Sequence, residues 1–309
     1  MKKKRPASMI VKRERYGYFF VAPFFIAFII FSAFPIISSF VVSFTRWNNY
    51  SDMSFVGFQN YFKVFENGMI FKALFNTLRI MVLALPPGII LSLGLAFILQ
   101  RKLFRGTGFF RTVYFLPYIT TPVAVGFLFS LLFNFQIGFV NTILKRFGLI
   151  SENINWLASP GSVVGIVAFL VFWKTFGYNM ILFYAGMQTI PDDVYEAARI
   201  DGATTFQQFL YITIPLLKPI TFFVVITSII WGLQIFDEPS MLLIGANSSA
   251  SIANTLGGPG KSVYTLVSYV YEEGFVLFRA GMASAVAYIM ALIITIFSAV
   301  SSKLMNRGD

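Results

Sequence analysis

Residues 16–45 read YGYFFVAPFFIAFIIFSAFPIISSFVVSFT, an unbroken stretch without charge between Arg15 and Arg46. A helix needs roughly 20 apolar residues to cross the hydrocarbon core of a bilayer. This stretch therefore predicts a membrane-spanning helix. Lys2, Lys3, Lys4, Arg5, Lys12, Arg13 and Arg15 precede it, as basic residues precede the core of an export signal. The apolar core of a cleaved signal is only about 7–15 residues long, so the stretch reads as a retained first span.

The same reading extends along the chain. Further charge-free runs cover 80–100, 112–144, 219–236 and 280–302. The 219–236 run regains length through 241–244, and a sixth apolar stretch, 162–187, is interrupted only by Lys174. The expected fold class is an all-α polytopic membrane protein with six transmembrane helices. They are placed at about 17–45, 73–100, 110–134, 162–187, 218–244 and 280–303. A basic tail (1–16) and a short tail (304–309) flank one transmembrane domain (17–303), whose fourth and fifth spans are joined by an inner loop, 190–218.

Composition agrees. Of 309 residues, 57% are hydrophobic and 12% charged. Soluble proteins carry about 25% charge, so lipid is the natural solvent for so apolar a surface. Cys and His are both absent. That removes disulfides, thiolate nucleophiles, imidazole bases and the usual zinc sites. The net charge of +11 raises the question of nucleic acid. With both termini on the cytoplasmic side, the inner segments carry the seven N-terminal basic residues, then Arg101, Lys102, Arg105, Arg111, Arg199, Lys218, Lys303 and Arg307. The outer segments carry fewer: Arg46, Lys63, Lys72, Lys145, Arg146, Lys261 and Arg279. This is the positive-inside asymmetry of a membrane protein, and charge scattered over short loops forms no single basic face for nucleic acid. Among the outer segments, 141–148 (NTILKRFG) reads as a short amphipathic helix.

The inner loop carries the chemistry: IPDDVYEAARIDGATTFQQFLYITIPLLKP, residues 190–219. Pro191, Asp192 and Asp193 suit the start of a helix and its positive dipole end. Glu196 and Arg199 are three apart and can pair. Gly202 can adopt the left-handed conformation that ends a helix. Ala197 and Ala198 leave a thin face for close approach by another protein.

The spacing of Glu196-Ala197-Ala198, Gly202, Ile212 and Ile214-Pro215 resembles the EAA loop of bacterial ABC importer permeases, with Ile214 where Leu is usual. Phe44-Thr45-Arg46-Trp47-Asn48, Val56-Gly57-Phe58-Gln59-Asn60-Tyr61, Asn76-Thr77, Trp173-Lys174, Gly177-Tyr178-Asn179-Met180 and Gly257-Gly258-Pro259-Gly260 are similar to the carbohydrate branch, of the maltose and glycerol-phosphate type. The resemblance spans about 16–305. It implies a type I importer permease in the bacterial inner membrane and a coupling helix in which Tyr195, Glu196, Ala197, Ala198, Asp201, Gly202 and Ala203 meet an ATPase subunit. It also implies a second homologous permease, an ATPase dimer that holds ATP and magnesium, and an extracytoplasmic solute-binding protein. No cofactor and no catalysis are expected on this chain.

Other candidates weigh less. Gly257–Ser262 reads GGPGKS, yet a phosphate loop needs Gly where Thr255 stands. Lys174 lies near the middle of its span, where an ammonium costs roughly 2.5–3.5 kcal/mol unless it faces water or a partner. It marks a cavity wall or an interhelical pair, or else a tilted helix that brings it to an interface. A sugar pathway needs aromatic faces and hydrogen-bonding groups, for which Trp173, Tyr178, Asn179, Gln188, Trp231, Gln234 and Asp237 are the candidates. The rival reading, an ion-coupled secondary transporter, needs buried carboxylates and inverted repeats. Asp237 and Glu238 lie only at the end of a span, and no repeat is visible. A membrane hydrolase built on Ser and Lys174 is a third reading.

Overall fold

The computed structural model describes residues 7–48, 52–101, 106–246 and 255–306. The expectations at Lys2, Lys3, Lys4, Arg5, Lys102, Arg105, Arg307 and the far ends of both tails lie outside those residues.

The first span is continuous: α1 (Ala7–Phe28), a π turn (Ile29–Ala33) and α2 (Phe34–Ser43). Its wide turn has a cause in the next residues. A proline inside a helix clashes with the carbonyl four residues back, and for Pro35 that carbonyl belongs to Phe31, within the π turn. The same solution recurs where the π turn Phe209–Thr213 precedes Pro215. Beyond α2 lie a two-stranded antiparallel hairpin, β1 (Thr45–Arg46) and β2 (Ser54–Phe55), and the amphipathic α3 (Gln59–Glu66). Thr45 stands opposite Phe55 and Arg46 opposite Ser54.

The centre of the molecule is a helix pair. α4 (Met69–Gln100) packs along α8 (Pro160–Met187). Ile80, Ala84, Val163, Val167 and Leu170 are buried between them and their neighbours. Ser92 Oγ donates to the Phe176 carbonyl at 2.6 Å and ties the two helices together. At about 1.5 Å per residue α4 is ~48 Å long, which is more than a membrane crossing and agrees with its start ahead of the expected position 73.

Two expected spans are not single helices. The stretch expected at 110–134 is α5 (Thr107–Ile119) and α6 (Pro122–Leu132), which meet at 94°. Pro122 forces the residue before it into extended conformation. Thr121 has ψ 140° and caps α6 by accepting from the Ala124 N–H. The stretch expected at 218–244 is α12 (Lys218–Leu233) and α13 (Asp237–Ala246), separated at 234–236. Asp237 and Glu238 occupy the first turn of α13, where carboxylates favour a new helix start. α13 then packs on α6.

The remaining elements are α7 (Phe139–Arg146), as expected for the 141–148 stretch, and α9 (Asp192–Ile200), α10 (Thr205–Gln208) and α11 (Ile214–Leu216) of the inner loop. The short helix Leu266–Tyr271, the π turn Glu272–Val276 and the final helix Ala280–Asn306 complete them. Among the described residues four helices are long and apolar enough to cross a membrane, and the bent pairs α5–α6 and α10–α12 raise the number to six. The GGPGKS stretch is a 3-10 turn, Pro259–Lys261, held by Asn76, which donates to the carbonyls of Lys261 and Tyr264.

Candidate functional site

The segment expected to meet the ATPase stands off the body. α9 buries none of its residues, and Ile200 is 86% exposed. The helix is closed by its C-terminal turn: the Ala203 N–H donates to the Ala198 carbonyl at 2.9 Å, and Gly202 has φ +79°. No L side chain adopts that φ cheaply. Glu196 and Arg199 face each other at 3.6 Å, both well exposed. Asp201 and Ala197 are also exposed, while Tyr195 and Ala198 are half-buried.

Four hydrogen bonds hold this segment together and tie it to the body. The Tyr195 hydroxyl meets Thr213 Oγ1 at 2.9 Å. Arg101, just past the end of α4, donates to Thr205 Oγ1 at 2.8 Å and to Gln208 Oε1 at 2.5 Å. Gln208 Nε2 in turn donates to the Ala203 carbonyl at 3.1 Å. α9 and α10 are thus linked to the longest helix of the core through one guanidinium. Arg101 carries no motif signature, and only its place after an apolar run suggested an inner location.

The second feature is a cavity of about 480 Å³ among α5, α8, α12 and the 234–238 break. Tyr118, Tyr178 and Trp231 line it as a set of nearly parallel rings. Tyr118 and Tyr178 stack at 4.4 Å with 14° between planes, and Tyr118 and Trp231 at 5.7 Å with 8°. Trp231 is 53% exposed, so this wall presents an open aromatic face. The close stack depends on Gly177: a Cβ there would sit 1.7 Å from the Tyr114 carbonyl oxygen. Only glycine lets α5 and α8 approach so nearly.

Polar groups complete the lining. Asn179, Thr175, Thr227, Ser228 and Gln234 contribute amides and hydroxyls, and Asp237 a carboxylate. Lys174 is paired with Glu238, Nζ to Oε1 at 2.8 Å, with both side chains mostly buried. The expected interhelical pair is therefore present, and its partner sits where α13 begins.

Five of the residues expected in the pathway line this cavity: Tyr178, Asn179, Trp231, Gln234 and Asp237. Lys174 stands at its edge through Glu238. Two do not. Trp173 turns to the opposite side of α8 and packs on Phe129 at 5.6 Å between ring centres. Gln188 lies at the far end of α8, in a shallow groove with Arg111 and Tyr184. The sequence reading missed Tyr118, Thr175 and Glu238.

Comparison with known proteins decides the class. Residues 88–307 match the family model for the binding-protein-dependent transport system inner membrane component. The chain belongs to that family. This permease family member is 35% identical to the arabinooligosaccharides transport system permease protein AraP of Bacillus subtilis (strain 168), over 96% of this chain and 90% of that one. It is 34% identical to the lactose transport system permease protein LacF of Rhizobium radiobacter, over 91% of each. Its fold is that of a chain in the bacterial alginate ABC transporter in complex with alginate pentasaccharide-bound periplasmic protein, with a TM-score of 0.80, 22% identity, and coverage of 98% of both chains. The protein is thus a multi-pass inner-membrane permease of a binding-protein-dependent importer, with the type I permease fold. As a transport component it is not an enzyme, and the ion-coupled reading is set aside.

Proposed function

We propose that this permease passes a sugar or sugar-like solute, delivered by an extracytoplasmic binding protein, through a pore shared with a second, homologous permease. An ATPase dimer, which holds ATP and magnesium, drives the step by docking on α9. The observation that carries the substrate class is the cavity: a stacked Tyr118–Tyr178–Trp231 wall beside amides, hydroxyls and a carboxylate. A sugar ring has apolar C–H faces and an equator of hydroxyls, and such a cavity meets both at once. The sugar-linked names of relatives that align along nearly the whole chain support the same class.

The one-sided exposure of the lining supports a second permease. Trp231, Gln234 and Asp237 are exposed, so the cavity has a wall on this chain and an open side. The exposed α9 supports docking of the ATPase, with Tyr195, Glu196, Ala197, Ala198, Asp201, Gly202 and Ala203 at the contact. The charge asymmetry of the loops supports cytoplasmic termini, on the same side as α9.

The test is uptake of labelled oligosaccharide into liposomes that hold the complete importer. Transport should require ATP inside and binding protein outside. Trp231→Ala with Gln234→Ala should reduce uptake at least tenfold while leaving assembly intact. Uptake that follows an ion gradient without ATP, or full uptake by that double variant, refutes the proposal.

A further inference from the structure

We propose that a pocket at the membrane boundary, on the face opposite the coupling helix, binds the headgroup of an anionic phospholipid. The pocket has a volume of about 300 Å³ and is lined by Arg46, Trp47, Asn48, Lys63, Asn67 and Arg279, among others. Three separate elements supply the cations: β1, α3 and, far off in sequence, the turn before the final helix.

The cations outnumber their counter-charges. Arg279 has Glu273 at 3.6 Å. Among the described residues neither Arg46 nor Lys63 has an ion-pair partner. The scaffold beneath them is fixed. Asn60, itself buried, donates to the carbonyls of Ser43 and Thr45, both at 2.8 Å, and so bolts the hairpin to α3. The Gly281 N–H of the final helix points at the Trp47 carbonyl at 3.5 Å. Like charges gathered on a rigid frame call for a multivalent anionic ligand.

Depth selects the ligand. α2 ends at Ser43 and the final helix starts at Ala280, so the pocket residues lie just past the ends of two spans. That level is where hydrocarbon gives way to headgroups. It is also the far end of α4 from the coupling segment: α3 adjoins the start of α4 at Met69, whereas Arg101 past its other end grips α10. Beside the pocket, Phe55 is 81%, Phe58 63% and Phe62 73% exposed. Phenyl rings projecting next to a cation cluster suit acyl chains below a phosphate, and they distinguish a lipid from the hydrated acidic surface of a partner protein.

The test uses the purified, assembled importer and native mass spectrometry with phosphatidylglycerol or phosphatidylcholine of identical acyl chains. Wild type should retain phosphatidylglycerol at least tenfold more tightly than phosphatidylcholine. Each basic residue near an anionic lipid is worth about fivefold in affinity, so Arg46→Gln with Lys63→Gln should erase the preference. The charge-preserving pair Arg46→Lys with Lys63→Arg should keep it, which separates lost charge from a damaged fold. Equal retention of the two lipids by wild type overturns the proposal. So does inorganic phosphate binding as tightly as phosphatidylglycerol, which would make this a general anion site. Loss of binding-protein docking in the glutamine variant, in membranes of phosphatidylcholine alone, would assign the pocket to that protein and equally overturn the lipid reading.

Discussion

Gly177→Ala tests whether the α5–α8 approach builds the aromatic wall. A Cβ at position 177 would lie 1.7 Å from the Tyr114 carbonyl oxygen and 2.5 Å from its carbon. Ordinary contact begins near 3.4 Å, so α5 must retreat by roughly the difference. The obstacle is backbone, which cannot rotate aside as a side chain can. Overpacking of this kind costs about 1–3 kcal/mol, and the upper end applies here. Tyr118 lies one helical turn beyond Tyr114, so the retreat falls directly on the Tyr118–Tyr178 stack, now 4.4 Å between centres. The assay has two readouts on the assembled importer: thermal melting followed by size-exclusion chromatography, and oligosaccharide uptake. Gly165→Ala is the control, on the same helix, with nothing within 4 Å of the added carbon. Gly177→Ala should melt earlier and transport at least tenfold more slowly, while Gly165→Ala matches wild type. If both variants behave alike, the close approach is not what shapes the cavity.

Lys174→Met strands the Glu238 carboxylate and should destabilise the complex by about 1–3 kcal/mol, below the ~3–5 kcal/mol of a fully enclosed pair because the cavity admits water. Adding Glu238→Leu should recover most of the loss in a melting assay; a double variant no better than the single one argues against the pair. Gly202→Val, forced to φ +79°, and Glu196→Lys on the exposed face of α9 should each leave the importer assembled but cut uptake per ATP hydrolysed severalfold. Unchanged uptake in both would remove the coupling role. Burial pushes the Glu273 carboxyl up, opposed by the Arg279 guanidinium. A raised acid contributes stability that is complete at low pH and is lost as pH climbs through its elevated value. Melting temperature should therefore decline from about pH 4 upward by a component that Glu273→Gln abolishes, and an identical pH profile in that variant contradicts the assignment.

The spans were legible because lipid imposes one rule on every position: no charge without a partner. That rule is blind to backbone breaks. An uncharged helix and an uncharged bend have the same composition, so the 112–144 run concealed the turn at Pro122. Proline after two threonines was the available signal, since the residue before proline resists the helical conformation. The 218–244 span failed for a different reason. Asp237 and Glu238 read from composition alone as charges near the outer end of one crossing, whereas they open a new helix. In the cavity, helical geometry sorts the outcome. Lys174 and Tyr178 are four apart and share a face of α8, while Trp173 is five from Tyr178 and turns away. Gln188 keeps a similar face but lies ~21 Å further along than Lys174. Tyr118 was illegible: nothing in 107–119 distinguishes it from the other aromatic residues until α5 is laid against Gly177.

The brevity of α12 has a consequence for the life of the protein in the cell. Its 16 residues cover ~24 Å, less than the ~30 Å of hydrocarbon. Counted from Lys218, the break that follows, with the Gln234 amide and next to it the Asp237 carboxylate that opens α13, falls short of the far hydrocarbon boundary, where fatty acyl tails offer nothing to bond. Inserted by itself, the polypeptide exposes that flank to oil. Biogenesis then depends on timing: a companion must arrive before quality-control proteases do, and a cell that makes this subunit in excess should degrade the surplus.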